Sequence, residues 1–271
     1  MTARLRLHDV SVSFDGKRVV DRVSATVTQG ELVGLIGPNG AGKTSLLRAI
    51  ARLTPCTGNI RIEGQALADL RRSALARRIS YLPQSRSAAW PITVRDVVTL
   101  GRLPHRGQWQ TLAHADQRAI DEALEKADVV AFADRPINTL SEGERARVML
   151  ARALAVEAPL LLADEPTAAL DPYHQLQIME VLQSLARNGA SIIVVTHDLS
   201  LAARFCTRLW LLAHGRLLAD GGNEDVLSDQ NVATAYGVEV VRDSRDNDPL
   251  IVPWRRLNGE GTTPPPAPTS F

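Results

Sequence analysis

The sequence predicts an α/β protein whose core is a parallel β-sheet. Three continuous apolar runs are each followed by a helical pattern: LVGLIG from Leu32, LLLAD from Leu160 and SIIVVTHD from Ser191. Apolar strands separated by helices are typical of a parallel sheet that is covered on both faces. Short β-rich runs, such as LRLHDVSVSF from Leu5 and IRIEG from Ile60, dominate about the first sixty residues.

Residues from about 85 to 150 carry helical periodicity without apolar strands, which predicts an inserted helical subdomain. Thr93 and His114 stand just before two of its helical patterns. A third pattern opens at Ser141, and Glu144 three residues later completes a capping box. Taken alone, this last stretch fits an ordinary capped surface helix.

The composition is that of a folded protein with no excess of either charge. Hydrophobic residues make up 45% and charged residues 23% of 271, and 31 Lys and Arg stand against 30 Asp and Glu. A net charge of +1 argues against wholesale nucleic-acid binding. We expect neither a signal peptide nor a membrane span, because the apolar runs are short. Cys56 and Cys206 lack metal spacing and are expected to be core residues in a reducing cytosol.

The motif GxxxxGK[ST] stands between the first apolar strand and a helical pattern. Its glycines let backbone N–H groups wrap phosphates, its lysine reaches the terminal phosphates, and its threonine hydroxyl binds magnesium. It therefore predicts a P-loop for a nucleoside triphosphate. The predicted nucleotide-binding residues here are Gly37, Pro38, Asn39, Gly40, Ala41, Gly42, Lys43, Thr44 and Ser45.

Two further apolar strands end in residues that suit phosphate chemistry. Asp164 and Glu165 close the strand that begins at Leu160, and His197 follows the strand that begins at Ser191. Ligands bind at such strand ends in parallel sheets. Asp164 can hold magnesium, and Glu165 can polarise the water that attacks the γ-phosphate, which favours hydrolysis over transfer by a P-loop kinase.

With these motifs in order, the chain resembles the nucleotide-binding subunits of ATP-binding cassette (ABC) transporters over about residues 3 to 240. The resemblance implies the following fold class: α/β, a P-loop NTPase ABC cassette with a RecA-like parallel-sheet core, an antiparallel β subdomain and an inserted helical subdomain. The matching segments are residues 37–44 (P-loop), Gln84 (Q-loop), residues 140–144 (signature), residues 160–165 (magnesium-and-base strand), residues 169–171 (D-loop) and His197 (switch histidine).

The resemblance also implies that ATP and Mg2+ are the cofactors and that two copies form a head-to-tail homodimer. Ser141 and Gly143 of one copy would cap the ATP on the P-loop of the other. Asp171 in the D-loop would also contact nucleotide, and Gln84 would contact magnesium and water. Phe14 would stack on adenine, although a core aromatic residue is an equal alternative.

The signature departs from the family's Leu-Ser-Gly-Gly-Gln, because Glu142 replaces its first glycine. A carboxylate there should repel phosphates, yet in the first turn of a helix it also favours the helix. We hypothesise that Glu142 faces outward and that the site stays active.

Within the family, the segment from Val97 to Trp109, with its phrase GRLPHRG, resembles importers of iron-siderophore, haem and cobalamin complexes, as does the C-terminal GVEVVRDSRDNDPLIVPW. That resemblance implies a peripheral ATPase on the cytoplasmic face of a bacterial inner membrane, with permease subunits and, indirectly, a substrate-binding protein as partners. An exporter ATPase and a soluble ABC protein remain alternatives. The expected division is an ATPase domain over 1–240, a strand extension over 241–255 and a disordered Pro-rich tail over 256–271.

Overall fold

The computed structural model describes residues 3–84, 91–106, 111–168, 170–246 and 248–257. The strands, in chain order, are β1 (Ala3–Phe14), β2 (Lys17–Thr28), β3 (Leu32–Ile36), β4 (Thr57–Ile62), β5 (Gln65–Ala66), β6 (Ile79–Leu82), β7 (Leu160–Asp164), β8 (Ser191–Val195), β9 (Arg208–Ala213), β10 (Arg216–Gly221), β11 (Val238–Arg245) and β12 (Asp248–Arg256). The α-helices are α1 (Lys43–Ile50), α2 (Arg72–Arg78), α3 (Val94–Thr99), α4 (His114–Lys126), α5 (Glu142–Leu154), α6 (Pro172–Arg187), α7 (Leu199–Phe205), α8 (Asn223–Val226) and α9 (Asp229–Tyr236).

The central sheet confirms the predicted α/β class. Among the described residues it has six strands in the order β10-β9-β3-β8-β7-β6, parallel except at the β10 edge. The predicted apolar strands are β3, β7 and β8, and every residue in them is buried. Their side chains alternate between two hydrophobic cores: Leu161 and Ala163 belong to one, and Leu160 and Leu162 to the other. The sheet is therefore covered on both faces, as the unbroken apolar runs predicted.

The N-terminal runs form a second, antiparallel sheet with the order β2-β1-β4-β5 among the described residues. Its buried side chains share a core with α1 on one face of the central sheet. The opposite face is covered by α6, α7 and the helices α3 to α5, which pack against one another. A hairpin of β11 and β12 follows and packs on α7.

Gly101 and Arg102 fasten this helical region together, in a 3-10 turn over Leu100–His105. A Cβ on Gly101 would lie 2.3 Å from the Arg152 carbonyl oxygen of α5, so only glycine allows this approach. Buried Arg102 donates to Asp116 Oδ1 of α4 at 2.9 Å and to the Ala155 carbonyl at the end of α5 at 2.7 Å. The phrase GRLPHRG therefore holds α5 in place, and its last glycine lies outside the described residues.

Two helix starts and the two cysteines differ in how far they match the local predictions. Thr93 caps α3, since its hydroxyl accepts from the Asp96 N–H at 3.1 Å, whereas His114 is the first residue of its helix rather than the one before it. Cys206 is buried as predicted, but the prediction for Cys56 is wrong, because it is exposed in the loop before β4. No helix among the described residues has the length and apolar character needed to cross a bilayer.

Candidate nucleotide-binding and catalytic site

The phosphate-binding loop leaves the carboxyl end of β3 and enters α1 through two glycines that no other residue could replace. Gly37 has φ 148° and Gly42 has φ 99°, both in the left-handed region. A Cβ on Gly37 would lie 2.1 Å from the Leu212 carbonyl oxygen, and one on Gly42 would lie 2.5 Å from the Val19 carbonyl oxygen. The loop is thus clamped between β9 and β2.

A cavity of about 270 Å3 lies over this loop. It is lined by Val19, Asn39, Gly40, Ala41, Gly42, Lys43, Thr44, Ser45 and Glu165. Seven of the nine predicted loop residues, all but Gly37 and Pro38, therefore face one space with the predicted base. Val19, which the sequence reasoning missed, joins them because the β1–β2 hairpin folds against the loop.

Lys43 is the first residue of α1, and its buried side chain reaches back toward the start of the loop. Its ammonium group donates to the Gly37 carbonyl at 2.7 Å and to the Pro38 carbonyl at 2.9 Å. Burial lowers the pKa of Lys43, against the charges of Glu165 and Asp164, which raise it. A polyphosphate in the cavity could accept these hydrogen bonds in place of the carbonyl groups.

Asp164, at the end of β7, is buried, and each oxygen of its carboxylate accepts a hydrogen bond from a hydroxyl group. Thr44 Oγ1 donates to Oδ1 at 3.0 Å, and Tyr81 Oη donates to Oδ2 at 3.1 Å. Burial raises the pKa of Asp164, while both hydroxyl hydrogen bonds lower it. Thr44 and Asp164 thus place two oxygen donors together at the edge of the cavity, and Mg2+ prefers such hard oxygen ligands. These two oxygen ligands therefore fit the Mg2+ ion that the sequence predicted at this place.

Glu165 follows Asp164 and is held by two side chains from neighbouring strand ends. Gln84, after β6, donates from Nε2 to Glu165 Oε2 at 2.6 Å, and His197, after β8, forms a hydrogen bond through Nε2 to Oε1. Glu165 has φ 50°, so it leaves the strand by a sharp turn. This carboxylate can accept a proton from a water molecule in the cavity, which is the chemistry of a general base.

Tyr81, like Val19, is a site residue to which the sequence reasoning assigned no role. Strand β6 pairs with β7 in parallel and sets Tyr81 opposite Leu162, two residues before Asp164 and on the same face. Its ring packs in the core beside α1, and burial raises the pKa of its phenol. Tyr81 reaches Asp164 because of the register between β6 and β7, which lie far apart in the sequence. That register cannot be deduced from a single sequence.

The signature segment, residues 140–144, forms the start of α5. Ser141 Oγ accepts from the Glu144 N–H at 3.2 Å, and Glu144 Oε2 accepts from the Ser141 N–H at 2.8 Å, which confirms the capping box. Ser141 and Glu142 are exposed and Gly143 is half-buried. No α5 residue is among the described residues that line the phosphate cavity of the same chain.

The two remaining predicted residues, Asp171 and Phe14, do not line the phosphate cavity of their own chain among the described residues. Asp171 caps α6, where its carboxylate accepts from the His174 N–H at 3.0 Å and pairs with His174 Nδ1 at 2.7 Å. These hydrogen bonds lower the pKa of Asp171. Ala169 of the predicted D-loop lies outside the described residues. Phe14 ends β1 with 46% of its surface exposed, so it is not a core aromatic residue.

Comparison with known proteins gives the same result for family and fold. The model of the ABC transporter family matches residues 20–168. The hemin import ATP-binding protein HmuV of Streptomyces coelicolor is 43% identical over 247 residues, which cover 90% of this chain and 88% of the relative. The ferric enterobactin transport ATP-binding protein FepC of Escherichia coli is 33% identical over 258 residues, which cover 94% and 95%.

A solved dimeric structure of a bacterial ABC transporter cassette matches the fold with a TM-score of 0.72 and 29% identity, over 81% of this chain and 98% of that one. The P-loop, the acidic strand end and the capped helix thus occur together on the fold of this family. The chain belongs to the ABC transporter family, as one of its ATPases.

Proposed function

We propose that the chain is the ATP-hydrolysing subunit that energises import of a metal chelate of the iron-siderophore, haem or cobalamin type through a separate membrane permease. The observation that carries this proposal is the nearly full-length likeness to HmuV and FepC, whose names assign them to hemin import and ferric enterobactin transport. The resemblance of the segment GRLPHRG to these importers also supports it. Exporter ATPases share the catalytic residues, so they remain the second candidate.

The site residues support the following division of labour. Lys43 and the P-loop hold the phosphates of ATP, and Thr44, Asp164 and Gln84 hold Mg2+. Magnesium, when bound, would neutralise charge on the phosphates. Glu165 takes a proton from the attacking water, and His197 and Gln84 orient its carboxylate. Phe14 would stack on adenine from the hairpin that Val19 holds against the loop.

A second copy of the chain is needed to complete each site. The exposed N-terminus of α5 bears Ser141 and Gly143, yet it does not reach the cavity of its own chain. A two-fold dimer would bring these groups onto the partner's γ-phosphate, with Asp171 beside them. The dimeric cassette of similar fold supports this arrangement.

The remaining partners follow from the same proposal. Permease subunits span the membrane, a substrate-binding protein delivers the chelate, and this chain is a peripheral subunit on the cytoplasmic face of the inner membrane. No nucleic acid takes part.

We keep the predicted division of the chain, in which residues 1–240 form the ATPase domain and residues 241–255 form a strand extension. Arg256, with which the predicted tail begins, is the last residue of β12, and residues 258–271 lie outside the described residues.

The test is to isolate a tagged copy, gently solubilised, from its own membranes and to identify the proteins bound to it. We expect a polytopic permease, and we expect the reconstituted complex to take up a metal chelate with ATP. The Lys43→Ala variant should assemble equally and transport nothing. A permease fused to its own ATPase, or only ribosomal or DNA-bound partners, would refute the importer and leave the ATPase standing.

A further inference from the structure

An open cleft of about 530 Å3 is lined in part by Tyr81 and shares no lining residue with the phosphate cavity. It is formed by the residues that follow α1, one side of α2, and β6. Its lining is apolar with two cations and, among the described residues, no carboxylate; it comprises Ala51, Arg52, Leu53, Arg72, Leu75, Ala76, Ile79 and Tyr81. Leu53, one of these lining residues, is 56% exposed, so the cleft presents an apolar side chain to solvent.

This cleft suits a short apolar protein segment that carries a carboxylate. Arg72 is exposed and can pair with such a group, whereas Arg52 already donates to the Leu70 carbonyl at 2.7 Å. On the proposed function, on which this step rests, the segment is a cytoplasmic loop of the permease.

Tyr81 is the one side chain among the described residues that both lines this cleft and contacts Asp164. Its ring forms part of the cleft wall, and its hydroxyl holds Asp164 Oδ2 at 3.1 Å. With Oδ2 held, Oδ1 is directed at Thr44, the other oxygen donor of the magnesium site. A shift of the ring therefore alters the orientation of the carboxylate directly.

We propose that Tyr81 is a positioning residue, which orients Asp164 for magnesium and transmits occupation of the cleft by the permease loop to that carboxylate. Magnesium would bind more weakly without the hydroxyl, because nothing else described holds Oδ2. Binding of the permease loop in the cleft would change the affinity for magnesium only while the Tyr81 hydroxyl group is present.

The first experiment measures ADP binding by calorimetry, with Mg2+ and with EDTA, for the isolated chain. ADP is chosen because it is not hydrolysed. In Tyr81→Phe we expect the ratio of the two affinities to fall about three- to tenfold, which is the range for the loss of one ordinary intramolecular hydrogen bond, with binding in EDTA unchanged. Thr44→Val, which removes a magnesium ligand, should lower the same ratio further. An unchanged ratio in folded Tyr81→Phe would overturn the positioning role, whatever the chain is found to transport.

The second experiment repeats the measurement on the complex isolated with its permease. We expect the ratio to differ between free and assembled wild-type chains, and not to differ in Tyr81→Phe. Leu53→Ser, which changes the rim of the cleft and not the site, should reduce the difference while leaving the free chain unaltered. An equal change in the wild type and in Tyr81→Phe would refute transmission through Tyr81. If no permease is recovered, the importer proposal fails, and the first experiment still decides the positioning role.

Discussion

Replacing Arg102 by methionine should weaken the whole chain and the placement of the signature helix. Methionine keeps most of the apolar stem but removes the guanidinium group, which is buried and bonded to Asp116, Glu157 and the Ala155 carbonyl. The Asp116 carboxylate, itself buried, would then lack its cation. Because Ala155 is the C-cap residue of α5, the loss also frees the C-terminal end of the helix that begins at the signature.

The size of the effect follows from burial. Breaking a buried ion pair by removing one partner costs about 3–5 kcal/mol, because the remaining charge stays buried. The bond to Glu157 adds little, because 56% of that side chain is exposed and exposed pairs contribute about 0–1 kcal/mol. A domain with about 5–15 kcal/mol of stability would lose a large share of it.

Urea unfolding followed by circular dichroism measures this loss. The matched control is Lys126→Met on α4, whose pair with Glu122 is exposed on both sides and should cost at most about 0.5 kcal/mol. Arg102→Met combined with Asp116→Ala should cost less than the sum of the two single changes, because the pair is coupled.

The loss should also depend on pH with a definite sign. The hydrogen bond from Arg102 is the largest cause that lowers the pKa of Asp116 in the folded chain. The pair therefore stabilises the wild type above the unfolded pKa of about 4 and loses this effect as the pH falls through the folded value. The difference between wild type and Arg102→Met should be full at pH 7 and shrink below about pH 4. A difference under about 1 kcal/mol at pH 7, or one that grows on acidification, would refute this reasoning.

Three other predictions address the catalytic site. Glu165→Gln should lower ATP hydrolysis by at least about 100-fold and trap an ATP-bound dimer, visible by size-exclusion chromatography; a monomer with normal turnover would place the base elsewhere. Glu142→Gly should change the ATPase rate by less than about tenfold, or about 1.4 kcal/mol of barrier, because Glu142 is exposed; a larger increase would show that its carboxylate opposes the phosphates. Gly37→Ala should abolish ATP binding and lower thermal stability, because its Cβ would meet the Leu212 carbonyl at 2.1 Å, whereas Gly222→Ala meets nothing within 4 Å and should behave as wild type; equal behaviour of the two variants would contradict the clamped loop.

The sequence was sufficient where the chemistry depends on contiguous residues. The P-loop, the capping box and the buried strands are each determined by neighbours within a few positions, and all were predicted correctly. The exposed Cys56 is a failure of the same approach, because cysteine composition does not say which side of a loop faces solvent.

The contacts across the fold could not be read from one sequence. Tyr81 meets Asp164 only through the register of two parallel strands, and Gly101 meets Arg152 only because two helices approach without a Cβ between them. Each joins residues separated by about 50 or more positions, so its geometry depends on how whole elements pack. The sequence by itself determined the family, the nucleotide chemistry and the strands that carry it. Only the tertiary structure decided which side chains hold the carboxylates of Asp164 and Glu165, because those contacts depend on packing between elements distant along the chain.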